Sequence, residues 1–317
     1  MITLTQIQAA AEEIAPYIRR TPQWKNDTLS KRLGTNVSLK MELFQKTGSF
    51  KPRGTFYQML ALGQDALDQG VVAVSGGNFA QGVAYASSVL GVDALICMPQ
   101  NTPQNYLDAT RGYGAQIELL PDVRAAFDRV DELVEQGRTA LHPFDNPNQM
   151  AGNGTVALEI YEDQPEITDL VVSIGGGGLL TGVIVALKSL KPSVRIWGVE
   201  TEGAAGMKAA MDAGQVVEIK PTSLSKTLGP PYVAQKALEA AQEHLQELII
   251  VSDQEAIDAQ RLLLERAKIL PELAASCTLA AAERIKQHFS EEHHVTLLIC
   301  GGNESVANLV NYAKMNE

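Results

Sequence analysis

The sequence predicts an α/β protein of two domains, each an open, twisted, mostly parallel sheet flanked by helices. Three observations carry that prediction. Strand-like and helix-like segments alternate along the 317 residues, the pattern of βα units. Several of the strand segments are almost purely apolar, as strands covered on both faces must be. The strand segments number eight, which with their helices fills two sheets: NVSLKMEL (36–43), VVAVSG (71–76), DALICMP (93–99), AQIELL (115–120), DLVVSI (169–174), RIWGVE (195–200), ELIIVS (247–252) and VTLLIC (295–300).

The first segment, MITLTQIQAAAEEIAPYIRR, carries two glutamates and no long apolar core, so it reads as an amphipathic helix and not as a signal peptide. Helix-like runs follow at 78–90, 122–137, 231–243 and 253–269. VVSIGGGGLLTGVIVAL (171–187) is uncharged and nearly long enough to span a bilayer. Glycine costs about 1 kcal/mol per position in a helix, so a strand, a glycine loop and a helix explain the segment better. Hydrophobic residues are 45% and charged residues 20%, the balance of a soluble globular chain, and no membrane partner is expected. The net charge of −11 repels phosphate backbones and argues against nucleic acid. Cys97, Cys277 and Cys300 are odd in number and far apart, which points to reduced thiols and a cytoplasmic location. No metal-ligand spacing links them to the histidines.

Four motifs carry chemistry. GSFKPRG (48–54) sets Lys51 between an aromatic residue and a proline, either as an ordinary surface lysine or as a nucleophile that must lose its proton. GGGG (175–178) stands between an apolar strand and a helix starting near Leu179. Glycines there let backbone N–H groups close on an anion, aided by the helix dipole. A flexible turn is the plainer reading, but the junction favours a small phosphate site, since neither GxGxxG nor GK[ST] is present. SGGNFAQG (75–82) follows another strand. Its N–H groups suit a carboxylate and Asn78 suits a ring oxygen, although Asn and Gly after a strand usually just form a turn. CGGN (300–303) puts Cys300 at a strand's C-terminal end, where α/β sheets place ligands.

Taken together, GSFKPRG, SGGNFAQGVA (75–84), HPFDNPNQMAGNGTVALEI (142–160), SIGGGGLLTG (173–182), GVE (198–200) and ICGGN (299–303) resemble the fold-type II pyridoxal-phosphate enzymes of the threonine/serine dehydratase and serine racemase group. The resemblance spans essentially the whole chain. It implies a tryptophan synthase β-like fold with a large domain at 1–63 and 147–317, a small domain at 64–146, and the active site in the cleft between them. It implies that Lys51 holds pyridoxal 5'-phosphate as a Schiff base, with Phe50 beside it. By the same resemblance Gly175, Gly176, Gly177, Gly178 and Leu179 bind the phosphate, Asn78 the ring hydroxyl, and Cys300 the pyridine nitrogen. Ser75, Gly76, Gly77 and Phe79 offer N–H groups to the substrate carboxylate.

The implied reaction is β-elimination. Lys51, displaced by the substrate amine, removes the Cα proton, and the β-hydroxyl leaves. A β-hydroxy amino acid such as L-threonine or L-serine becomes a 2-keto acid and ammonia. A neutral thiol facing the ring nitrogen makes the ring a weaker electron sink, which suits elimination. A homodimer is also implied. Departures from the family pattern qualify the reading. Gly76 stands where racemases carry a serine, so racemisation by that route is not expected. Gly206 stands where metal-binding members carry an aspartate partner for Glu200, so no divalent metal is expected. Ser225-Lys226-Thr227 replaces an alanine-aspartate-glycine turn. With Phe79, Lys226 keeps an acidic or bulkier hydroxy amino acid open as an alternative substrate, and a non-catalytic binder of the cofactor is the third reading. Glu272 reads as a helix-start residue. The sequence stops soon after Asn303, and no C-terminal regulatory domain is expected.

Overall fold

Two sheets organise the chain, and the computed structural model describes residues 1–315 of it. The strands are β1 (Gln23–Lys25), β2 (Asn36–Lys40), β3 (Val71–Val74), β4 (Ala94–Pro99), β5 (Gln116–Leu120), β6 (Thr139–Ala140), β7 (Asp169–Ser173), β8 (Arg195–Thr201), β9 (Leu245–Val251) and β10 (His294–Leu298). The larger sheet runs β1-β2-β10-β7-β8-β9, and the smaller runs β5-β4-β3-β6. All pairings are parallel except that of β1 with β2.

All eight strand segments read from the sequence are strands, most of them trimmed at their ends. The two additional strands, β1 and β6, are three and two residues long, too short to leave a periodic pattern. The first helix, Leu4–Ile14, starts with a capping box between Thr3 and Gln6. The helix expected from 231 begins at Gln235, because Pro230 and Pro231 precede it and cannot supply helical N–H groups. The helix expected over 253–269 is α-helical over Asp253–Leu262 and ends in one π turn, Leu263–Ala267. Residues 171–187 divide into β7, the glycine loop and a Gly178–Leu190 helix. Among the described residues no helix is long and apolar enough to cross a membrane.

The Lys51–Leu60 helix and the Pro147–Asp163 helix pack closely inside the larger body. Their approach is set by Gly152, where an added Cβ would lie 2.5 Å from the Arg53 carbonyl oxygen. Beside that crossing Arg53 is fully buried. Its Nε and Nη2 each donate to the Glu42 carboxylate at 2.8 Å, and its Nη1 donates to Glu159 at 2.7 Å and to Thr155 Oγ1 at 3.1 Å. Lys40, also fully buried, donates to Glu159 at 2.6 Å. Burial works against the Glu159 carboxylate, but Arg53 and Lys40 together hold it below the usual carboxylate range.

Truncating one partner of such a cluster strands the other charges in the interior. Arg53→Ala is expected to lower stability by about 3–5 kcal/mol, read as a shift in the urea midpoint. A loss under about 1 kcal/mol would show that the cluster does not act as a paired unit.

Candidate active site

Hydrogen bonds and close contacts bring the four motifs together: the segments after β3 and β10 meet through Asn78 and Asn303, and Lys51 and the loop after β7 meet through Pro143 and Phe144. Lys51 opens its helix directly after Phe50, with Pro52 in the first turn, where the missing proline N–H costs nothing. Its Nζ donates to the Pro143 carbonyl at 2.9 Å and lies 5.1 Å from the Phe50 ring and 5.5 Å from the Phe79 ring. Burial lowers this ammonium to about 8, while Cys300 and Glu272 pull in the other direction. The positive end of its own helix also disfavours a cation there.

The glycine loop is pressed against aromatic and small neighbours. A Cβ on Gly176 would run into the Phe144 ring, and one on Gly177, where φ is +88°, would run into the Ala237 Cβ. One on Gly178 would meet the Phe144 carbonyl oxygen at 2.7 Å. Side chains are excluded on that side, and the first-turn N–H groups, including that of Leu179, lack intrahelical acceptors, the arrangement that binds anions. Gly175 has only ordinary contacts, the nearest at 3.5 Å.

The segment 142–144 joins the lysine to this loop. His142 Nδ1 accepts the Asp145 N–H at 2.8 Å and the Phe144 N–H at 3.3 Å. The ring proton therefore sits on Nε2, 3.3 Å from the Tyr232 hydroxyl. Burial keeps His142 below its ordinary pKa, so it stays neutral. Pro143 takes the lysine and Phe144 seats the glycines. Nothing local in the sequence assigns these three residues such roles.

Asn78 begins the Asn78–Leu90 helix and is buried. Its Nδ2 donates to Glu272 Oε1 at 2.8 Å and Oε2 at 3.0 Å, and its Oδ1 accepts from Asn303 Nδ2 at 2.7 Å. Glu272 also accepts from Thr227 Oγ1 at 3.0 Å. Burial raises the Glu272 carboxyl, and the bonds from Asn78 and Thr227 bring it back part of the way. Glu272 does occupy a helix start, but its side chain makes no capping bond and reaches across the cleft. Helix-start position masked it in the sequence; a carboxylate ahead of the apolar run LAASCTLAAA was the available signal.

Cys300 is buried just past β10, and its carbonyl accepts the Phe50 N–H at 3.0 Å. Burial, with Glu272 nearby, pushes its thiol well above the ordinary value, so it is neutral. In the asparagine loop the Ser75 N–H bonds Cys97 O at 3.3 Å and the Gly77 N–H bonds Ser75 Oγ at 3.2 Å. Of the four donors expected there, Gly76 and Phe79 keep theirs unbonded among the described residues. Phe79 is buried in the core of the smaller body and turns its ring to Lys51. Lys226 is exposed and its Nζ folds back to Ser223 O at 2.9 Å, so it stays out of the cleft. Thr227 is the side chain of that turn which enters, with its methyl 3.6 Å from where a Gly77 Cβ would be.

Glu200 accepts the Met207 and Lys208 N–H groups at 2.7 and 2.9 Å, and burial raises its carboxyl to about 7. Both of its oxygens thus serve the start of the Gly206–Ala213 helix. Among the described residues no three His, Cys, Asp or Glu side chains cluster as metal ligands would.

Comparisons with known proteins bear on this geometry. The family model described as "Pyridoxal-phosphate dependent enzyme" matches residues 14–301. The chain is similar to the L-threonine ammonia-lyase of Thermotoga maritima, at 37% identity over 96% of this chain and 77% of the relative. Among solved structures it is similar to maize serine racemase, with TM-score 0.93 and 29% identity over 99% of this chain and 98% of that one. It is also similar to the serine racemase of Dictyostelium discoideum, with TM-score 0.90 and 32% identity over 96% of this chain and 99% of that one.

The lowered Lys51 predicts a pH profile. The apo-protein's condensation with an added aldehyde should speed up with pH, following the neutral amine, and level off above about 8. Stopped-flow absorbance measures this; a rate still climbing at pH 10 would mean that Lys51 behaves as an ordinary solvated lysine.

Proposed function

The chain belongs to the pyridoxal-phosphate-dependent enzymes, and from that premise we propose that it is an ammonia-lyase for a small β-hydroxy amino acid. L-threonine or L-serine would be converted to a 2-keto acid and ammonia. The site fits the cofactor. A neutral-capable amine suits its aldehyde, the Gly178–Leu190 helix N-terminus suits its phosphate, the Asn78 amide its ring oxygen, and the Cys300 thiol its ring nitrogen. When bound, the cofactor supplies an aldehyde that captures amines and a ring that draws electrons from Cα.

The chain's own residues then have separable tasks. Gly175, Gly176, Gly177, Gly178 and Leu179 hold the phosphate, and the Phe144 seat keeps their N–H groups aimed one way. Asn78 keeps a fixed amide orientation because Asn303 occupies its oxygen. Gly76 and Phe79 present N–H groups to the substrate carboxylate. Lys51, with its proton affinity lowered to about 8, takes the Cα proton and holds it on Nζ. The single observation that carries the elimination reading is the neutral, buried Cys300. A thiol that stays neutral would leave the ring nitrogen of a bound cofactor unprotonated, which would favour loss of the β-substituent over a long-lived carbanion.

A small substrate is supported by Thr227, which narrows the space over Gly77, and by Lys226 turning away from the cleft. The reading includes domains at 1–63 with 147–317 and at 64–146. It also includes a cytoplasmic location, in keeping with three buried, unpaired thiols, and a homodimer, which light scattering tests.

Release of 2-keto acid from a panel of hydroxy amino acids tests the function. Activity is expected with L-threonine and L-serine and is not expected with 3-hydroxyaspartate; the reverse order would replace this proposal with the acidic-substrate one. Lys51→Ala should abolish turnover by at least about 10³-fold, since the covalent anchor and the proton acceptor are lost together. Cys300→Ser should keep most of the activity, one neutral donor replacing another. Cys300→Asp should divert product from keto acid toward transamination. A Cys300→Ser variant as inactive as Lys51→Ala would point to a covalent role for the thiol.

A further inference from the structure

The loop after β4 aims a hydroxyl at the asparagine loop. A Cβ built on Gly76 would lie 2.7 Å from Thr102 Oγ1, against 3.6 Å from the Thr102 Cβ and methyl. The hydroxyl is therefore the part of Thr102 that faces Gly76. Thr102 is 8% exposed, and its Oγ1 makes no hydrogen bond among the described residues. Its backbone is held firmly. The Thr102 N–H donates to Pro99 O at 3.0 Å, and Pro103 caps the helix Gln104–Gly112. That helix is fixed in turn by Tyr106, whose hydroxyl donates to Asn303 O at 3.0 Å. Thr102 is thus a firmly placed, largely buried side chain whose hydroxyl has no protein partner among the described residues and stays open to whatever enters beside Gly76.

What surrounds it are donors. The 13-residue Asn78–Leu90 helix starts here, and its first N–H groups have no intrahelical acceptor. Ser75 Oγ accepts from Gly77 and Ala80, which leaves the N–H groups of Gly76, Asn78 and Phe79. These N–H groups have nothing to accept the Thr102 proton with, and Thr102 does not reach them as an acceptor. A ligand oxygen carrying negative charge satisfies both sets at once, with the helix dipole in its favour. The absence of a side chain at Gly76 is what opens the space, because any Cβ there would crowd the hydroxyl.

We propose that Thr102 is a substrate-binding residue whose hydroxyl donates to the amino-acid carboxylate, beside the N–H groups of Gly76, Asn78 and Phe79. The inference deepens the proposed function, but it requires only that the ligand be an amino acid, not that a β-substituent leave.

The test is a visible-absorbance titration of the cofactor-loaded protein with glycine and with glycinamide, which differ in the carboxylate alone. A hydrogen bond to a charged group is worth a factor of about ten or more in affinity. Thr102→Val, which keeps the shape, should weaken glycine by about that factor and glycinamide by less than about twofold. Thr102→Ser should stay within about threefold of the parent for glycine. Thr102→Ala serves the same comparison if the valine variant does not fold, with the melting temperature as the check. Unchanged glycine affinity, or equal losses for glycine and glycinamide, overturns the proposal. Failure to release keto acid from threonine or serine, with the Thr102 effect on glycine intact, would overturn the proposed function and leave this inference standing.

Discussion

Lys51 can act only if its amine is held at one place, and that fixity begins two residues further on, at Arg53. The guanidinium lies in the same first turn of the helix and is gripped by Glu42 from before the turn and by Glu159 from a helix about a hundred residues away. The chain between these anchors includes the whole smaller sheet, so the clamp ties together the two segments that flank it. Buried ion clusters are weak evidence of stability, since apolar residues of the same shape often do as well. What apolar residues would not supply is a bidentate fork with a single allowed orientation. The direction of the helix, and of the lysine at its start, follows from that geometry.

The contact between the two bodies at the site is of another kind. Asn78 and Tyr106, from the smaller body, meet Glu272 and Asn303, from the larger, through hydrogen bonds, and Thr227 bonds Glu272 from the larger body's own side. Bonds of this sort exchange for bonds to a ligand at small net cost, whereas buried apolar area does not. The cleft is thus joined by groups that a ligand with suitable oxygens can take over. Glu272 takes part in a way that its raised pKa makes consequential, because a proton on it removes an acceptor for Asn78.

The fold was legible because buried parallel strands announce themselves as apolar runs. β7 and β10 read directly, while β1 and β6 were too short and too polar to register. The glycine loop and Lys51 were legible for a similar reason, since glycines at a strand–helix junction and a lysine beside a proline are local patterns. Glu272, Thr102 and His142 were not legible. Glu272 meets Asn78, Thr102 faces Gly76 and His142 reaches Tyr232 across long stretches of sequence, and no local spacing encodes such pairs. Lys226 shows the converse error: a charge in an altered motif drew attention, but its side chain faces solvent while its neighbour Thr227 enters the cleft.

The three residues His142, Pro143 and Phe144 make one stiff piece of backbone with two working ends. One end receives the lysine amine and the other supports the glycine loop. Linkage is reciprocal, so whatever free energy ordering the loop contributes to the lysine's placement, engaging the lysine returns to the loop. A molecule gripped at both ends behaves as a chelate does. Release at one end leaves the other engaged, and the freed end rebinds at the high effective concentration set by its tether. Under the proposed function the lysine would let go and return many times while a phosphate held at the glycine loop kept the same molecule in place.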